Sequence, residues 1–582
     1  MSTPTLLDGN KNDIRAQLQK YGEHLLQGGH PAAWQDIIDV PGVTRVDHAL
    51  VLLVNEFILN GASTSTDPEG SRAAELEAFA QIVHASLHEL IVHFRDSRQF
   101  AQEAWKKIEE TIVKTVKNLI SMKTKKQTEH IDLIEEPLRD FLLLAGDVGF
   151  QFSYEVRQVM RNWMEMAFDE EIKKSSAPQP KSNVVDRAWQ WQDPFLSMLN
   201  QISEGGKVVD EFDCFNSIEN QLVFLPEQTL ADIFSHGLSF ERSEIRELMP
   251  LMALHKCEEV SLIALQVLEN FIDTLSPTGL RRLISMRNWL PASRHTDLDH
   301  VIRAARTRNS EACNEDDSLV PEVEVVKHLA SSIDGSGAQN IMTLMKSKHG
   351  FKIFVGVVKE NIGWIDVWSS DWSTKTACER IIRSFQKSIF TLEVTQEYVE
   401  FIFRLGLHWN SISNIIPKPE FLHWVELLHD TQVNPRSFDA DDYVYLLDLD
   451  PDTKPTPFQI RQGMDASGQW LRQGEFAAGW FEAGDHVETY IENDIPDAAV
   501  NVIEHCVKHV FEPIRQKWAL RLYRMAFWAH SNAKRRGPKS VDFYTMAHLI
   551  HGDLPLEHLP FMRDLAMATL SAYADEFGKE ST

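Results

Sequence analysis

The sequence predicts an all-α protein, a multi-helix chain built as a curved stack of antiparallel helix pairs. Three observations lead there. Apolar residues recur mainly with the helical period, Gly, Pro and N-cap residues punctuate the apolar runs, and through 226–308 the runs are joined by short turns. The 582 residues leave room for about four domains of ~150 residues.

Taken in order, Ile14, Leu18, Tyr21 and Leu25 share one helical face, with Asn12 or Asp13 available as N-cap. Leu76, Phe79, Val83, Leu87, Leu90 and Phe94 form a longer stripe, and Val156, Val159, Trp163 and Met166 repeat the pattern after Ser153. Residues 46–59 are apolar on nearly every side, as expected of a helix buried among others. In the regular stretch, Pro226 opens a helix that Gly237 closes. Ile245, Leu248 and Met252 mark a second helix, which Pro250 should kink. Val260, Ala264, Leu268, Phe271 and Leu275 mark a third. Ser276-Pro277 reads as an N-cap with a first-turn proline ahead of Leu280, Leu283 and Ile284, and Pro291 stops that helix. Thr296 with Asp299 is similar to a capping box. Ile514, Trp518, Leu522, Met525 and Ala529 lie on one face of a C-terminal helix.

This pattern of helix length, turn length and mid-helix proline, over roughly 200–310 and again 455–575, resembles HEAT- or armadillo-type helical repeat proteins. The resemblance implies an α-solenoid-like stack with an extended surface for a protein partner. A non-repetitive all-α fold is the alternative. Phe351–Trp368 is β-branched and aromatic and is broken at Lys359-Glu360-Asn361. It reads either as a small β-hairpin or as two short buried helices hinged at Gly363; helical surroundings favour the helices. Lys174–Asn183, Thr307–Glu322 and the aspartate-rich Arg436–Pro457 read as linkers or exposed loops. They divide the chain into an N-terminal helical domain (1–173), a helical-repeat region (184–306), a central helical region (323–436) and a C-terminal helical domain (455–582).

With 43% apolar and 25% charged residues, the chain is neither disordered nor fibrous. Its net charge of −27 opposes general binding to nucleic acid or anionic membrane, which depends on Lys and Arg displacing counterions. Five dispersed cysteines (Cys214, Cys257, Cys313, Cys378, Cys506) form no disulfide framework and no CxxC zinc site. The N-terminus has no signal-peptide pattern, and the longest apolar run is shorter than a bilayer span, so a cytoplasmic, membrane-free protein is expected.

Several clusters could carry chemistry. His84/His88 and His505/His509 have the four-residue spacing that can present two imidazoles to one metal, and His548, His551 and Asp553 lie close together. None supplies HExxH, and both pairs read as polar helix faces; the third group reads as the end of a helix at Gly552. Asp448–Thr453 begins like a calcium loop but lacks its glycine and terminal glutamate. A lysine cluster occupies 105–126. Arg281, Arg282, Arg287, Arg303 and Arg306, with Lys534, Arg535 and Arg536, are a candidate anion or partner patch. The plainer reading pairs them with the protein's own carboxylates. No phosphate-binding loop, dinucleotide fingerprint, nucleophile elbow or kinase motif occurs, so no catalytic residue and no cofactor is assigned.

The expected function is therefore a scaffold, adaptor or regulatory subunit binding a protein partner, with an acidic surface suited to a basic patch. The alternatives are a helical metal-dependent or hydrolytic enzyme using the histidine clusters, and a nucleic-acid-associated protein using the arginine patches.

Overall fold

The computed structural model describes residues 210–580 apart from short stretches (224, 226, 239–242, 310, 314–322, 429–432, 451–453, 474, 492–500 and 535–536), with scattered helical positions between 19 and 160. The chain divides into two compact units, Met1–Gly237 and Leu238–Thr582. In the first, α1 (Glu211–Leu222) buries Phe212, Phe215 and Ile218, and Asp210 caps it by accepting from the amides of Phe212 and Asp213. Helix α2 (Glu227–Leu238) buries Leu230 and Phe234.

The second unit opens with the four helices that the punctuation predicts. They are α3 (Ser243–Leu251), α4 (Glu258–Asn270), α5 (Pro277–Met286) and α6 (His295–Arg308). Pro250 ends α3 within one residue, and a 3₁₀ turn follows. Ser276 caps α5 through Gly279 N, with Pro277 at the first position, as the sequence indicates. Thr296 and Asp299 form no capping box: α6 starts after Arg294 without a side-chain cap, and Asp299 is held by Arg287 instead. Helix α4 packs on α6, and α3 on α5.

A five-stranded antiparallel sheet over residues 324–394 overturns the all-α expectation, and the protein is mixed α and β. Strands β1 (Glu324–Ser331), β2 (Ala338–Ser347), β3 (Gly350–Lys359) and β4 (Gly363–Ser369) make a meander. After α7 (Lys375–Ser388), β5 (Thr391–Val394) returns beside β1, giving the order β4-β3-β2-β1-β5. Phe351–Trp368 is thus a hairpin and not a helix pair. Its turn uses Asn361 and Gly363 at φ of 59° and 96°, a left-handed conformation that Asn and Gly tolerate best.

Alternation sends Ile353 and Val355 to one face, where they pack with Leu329, Met342 and Leu344 against Cys378 and Ile382 of α7. The other face carries Phe354 and Trp364 against α8 (Gln396–Ser413) and α9 (Pro419–Leu427). There Phe403, Phe421 and Trp424 surround Trp364 at centroid distances of 5.1–5.9 Å. A sheet covered on both faces has no polar side, so its strands lose the polar alternation that usually marks them in a sequence.

Within β1, His328 is buried, its Nδ1 is hydrogen-bonded with Thr343 Oγ1 at 2.8 Å, and burial pushes its pKa down to about 4. Its unfolded value near 6.5 is higher, so the unfolded chain takes the proton first as pH falls. Stability is full above pH 6.5 and lost progressively between about 6.5 and 4. Between pH 7 and 5 this one group should remove about 2 kcal/mol. Urea midpoints at the two pH values should show that loss in the parent and a smaller loss in His328→Gln; equal losses would count against it.

The remaining helices are α10 (Ala440–Leu446), α11 (Pro457–Gln473), α12 (Asp485–Thr489), α13 (Val502–Cys506), α14 (Arg515–His530), α15 (Ser540–His551) and α16 (Pro560–Glu580). The aspartate-rich stretch read as a loop thus contains a helix. Asp439 caps α10 by accepting from the amides of Asp441 and Asp442, and Asp442 accepts from Asp439 N, closing a capping box. Helix α14 is buried on nearly all sides and packs along α15. No helix among the described residues is long and apolar enough to cross a membrane.

Candidate functional site

Helix α14 carries two arginines, Arg521 and Arg524, within a run of apolar residues, and both are almost wholly buried. Arg521 Nε donates to Glu360 Oε2 at 2.7 Å, and its Nη1 reaches Gly335 O at 3.1 Å and Glu482 Oε2 at 3.5 Å. Glu482 is 0% exposed and also accepts from Lys517 Nζ at 2.6 Å and Trp518 Nε1 at 2.7 Å. Arg524 lies over the Trp409 ring at 5.1 Å and donates to Gly337 O at 3.5 Å. Burial pushes the Glu360 carboxyl up, but the Arg521 and Arg524 guanidiniums outweigh it and hold the group below its ordinary value.

This cluster is a clamp. Gly335 and Gly337 lie in the β1–β2 turn and Glu360 in the β3–β4 turn, so α14 grips two sheet turns at once. Trp528 Nε1 of α14 donates to Ala330 O in β1, and Trp480 Nε1, from the segment before α12, donates to Ile333 O just after that strand. The acceptors on the β1 side are main-chain carbonyls, so the docking survives side-chain change in those strands. On the other flank, Arg282 of α5 makes a two-pronged pair with Glu426 of α9, at 2.8 and 3.0 Å, and Trp289 Nε1 donates to Val433 O.

Held in this way, α14 presents its last residue, His530, to a surface cleft of about 220 Å³. Leu447 and Leu449, just after α10, form one wall, and Lys454, Pro455 and Gln459 lead into α11. Ser540, Val541, Tyr544 and Thr545 of α15 close the opposite side. Stacking of Tyr443 on Tyr523, at 6.0 Å and 12°, fixes the end of α10 to α14. Two of the cleft hydroxyls are engaged by the backbone: Ser540 Oγ donates to Ala526 O and Thr545 Oγ1 to Val541 O. Close in sequence to the lining residues Leu447 and Gln459, Tyr445 and Phe458 are 81% and 74% exposed. Asp448, at φ 55° and with its side chain 92% exposed, lies 3.9 Å from His530.

The residues singled out by sequence distribute differently. His84 and His88 lie outside the described residues, as do Arg535 and Arg536. His505 and His509 stack on each other at 4.0 Å, and His505 also meets the Tyr490 hydroxyl at 3.1 Å, so the rings face one another across a π-helical turn. The intervening Cys506 thiol is pushed up to about 12 by burial. His548 packs on Tyr544 and is held low by burial and by Lys454 and His551, while His551 and Asp553 are exposed. Among the described residues no group of three His, Cys, Asp or Glu is placed to hold a metal.

The arginine patch is also split. Arg282 is buried in its ion pairs, and Arg287 is engaged two-pronged by Asp299. Arg303 and Arg306 are exposed on α6, Arg281 is half-buried, and Lys534 pairs with Glu393 at 2.7 Å. Arg294, from the same basic stretch, is buried and donates to the carbonyls of Ala253, His255 and Lys256. Sequence reasoning passed over Glu360, Glu482, Arg521 and Arg524. The signal available was the pair of arginines inside an otherwise apolar helix.

Two family models match the chain: the Y4lR second domain over residues 226–309 and the Y4lR C-terminal helical domain over 445–574. Neither is a HEAT or armadillo family, so the resemblance to those repeats is replaced by a distant one to Y4lR. The chain is 21% identical over 379 residues to the uncharacterized protein y4lR of Sinorhizobium fredii (strain NBRC 101917 / NGR234), covering 64% of this chain and 70% of that relative. No solved structure matches. The cleft and its rim lie wholly within the segment similar to the Y4lR C-terminal domain, as do Glu482, Arg521 and Arg524. The sheet lies between the two matched segments.

Proposed function

We propose that the protein is an interaction scaffold and that its docking surface is the rimmed cleft between α10 and α15. The observation that carries this reading is the exposure of Tyr445 and Phe458 at 81% and 74%, two residues and one residue along the chain from Leu447 and Gln459 of the cleft lining. Large aromatic side chains are costly to leave in water, and at the edge of an apolar hollow they supply contact area to a partner at little entropic cost. The buried contacts that hold α14, whose last residue His530 lines the cleft, support the same reading, because a preformed surface loses less freedom on binding.

A photo-crosslinking amino acid placed at Tyr445 or Phe458 of the full chain in its native cells should yield adducts with a discrete protein. The same group at Ile412 and Met567, exposed apolar positions on other helices, should not. Absence of adducts at the first two positions, or equal adducts at all four, would sink the proposal.

A further inference from the structure

Resting on that docking surface, we infer that its occupant is a lysine- and arginine-rich segment of a protein partner that seats one large apolar side chain in the cleft. Three features lead to this occupant.

The first is the chemistry of the hollow. Leu447, Leu449, Pro455 and Val541 make apolar walls, while Ser540 and Thr545 have spent their donors on backbone carbonyls. A guest gains there by removing apolar surface from water. At about 220 Å³ the space exceeds the ~150 Å³ of a protein cavity that accepts benzene, so a branched or aromatic side chain fits.

The second is the charge on the α10 side. Asp441 and Tyr445 are four residues apart and so neighbours on α10, and Asp448 lies beyond the end of that helix, beside His530. Asp439, Asp441, Asp448 and Asp450 are all exposed, on a chain of net charge −27. Carboxylates beside exposed aromatic faces suit a cation twice over, through ion pairing and through the ring quadrupole. The third is the position of the cleft's own cations. Lys454 and His530 line the hollow itself, and His530 faces Asp448. The basic residues of the guest therefore belong over α10, beside the anchor and not within the hollow.

Fluorescence polarisation with the full chain tests this with three short labelled peptides. One carries lysines and arginines around a central tryptophan, one has that tryptophan changed to alanine, and one has the basic residues changed to glutamate. The first should bind, with affinity falling as salt rises. The alanine peptide should bind at least about tenfold more weakly, the size of an anchor residue's contribution. The glutamate peptide should not bind. Val541→Trp, which fills the cleft from within, should bring the first two peptides to equal affinity, and Asp441→Lys with Asp448→Lys should flatten the salt dependence.

Tryptophan and alanine peptides of equal affinity on the parent protein would overturn the inference, and that comparison does not depend on any variant folding. Tight binding of the acidic peptide would overturn it as well. If crosslinks form at Tyr445 and Phe458 while the peptides are not discriminated, the docking surface stands and the basic, anchored occupant falls. If neither occurs, both fall.

Discussion

Glu482→Ala is expected to lower the stability of the C-terminal unit by about 3–5 kcal/mol, because it leaves buried cations without their counterion. Glu482 is 0% exposed and serves three donors, from Lys517, Trp518 and Arg521. Arg521 retains Glu360, but Lys517 has its ion pair in this carboxylate. Glu482→Gln preserves shape and an acceptor for Trp518, so its loss should be smaller but still clear. Adding Lys517→Met to Glu482→Gln should recover part of it, since removing both partners of a pair costs less than removing one. Urea unfolding of the full chain followed by tryptophan fluorescence reads this directly. An unchanged midpoint for Glu482→Ala would show that the cluster contributes nothing to stability, and the clamp would have to be abandoned.

Trp528→Ala should cost a similar ~3–5 kcal/mol, here through a cavity. The indole is fully buried, lies against Phe390 at 6.1 Å, and donates to Ala330 O at 3.0 Å. Trp528→Phe separates the two contributions. It keeps most of the packing and removes the donor, leaving a buried carbonyl one partner short, for about 1–3 kcal/mol. If the phenylalanine variant were as unstable as the alanine one, the hydrogen bond to β1, and not the packing, would hold the helix on the sheet. A negligible effect of both would mean that α14 is fixed elsewhere.

These two residues also show where sequence reading failed. The sequence places Trp518, Leu522, Met525 and Ala529 on one face of this helix and does not single out Trp528, and nothing local tells that its indole reaches a strand some two hundred residues earlier in the chain. Glu360 and Glu482 look like ordinary surface carboxylates, one in a turn and one in a loop. Arg521 binds both of them, and the three come together only when α14 crosses the sheet turns. Four-residue spacing was legible as bringing His505 and His509 together, but only the structure shows that their rings stack, at 4.0 Å.

The sequence by itself determined the helices of 243–308 and the C-terminal helices, because cap residues, prolines and helical periodicity act within a few residues of one another. Pro250, Ser276 and Pro277 do locally what they are expected to do anywhere. It also determined the strongly acidic balance, since charge is additive and needs no fold. Only the tertiary structure decided that 324–394 is a sheet. Strands are stabilised by partners distant in sequence, and this sheet is covered on both faces, by α7 on one and by α8 and α9 on the other, which blurs the alternation a sequence could display. The same is true of the cleft. Leu447, Val541 and His530 are ordinary residues one by one, and they face a common hollow only because a buried charge cluster and a pair of stacked tyrosines fix the helices that carry them.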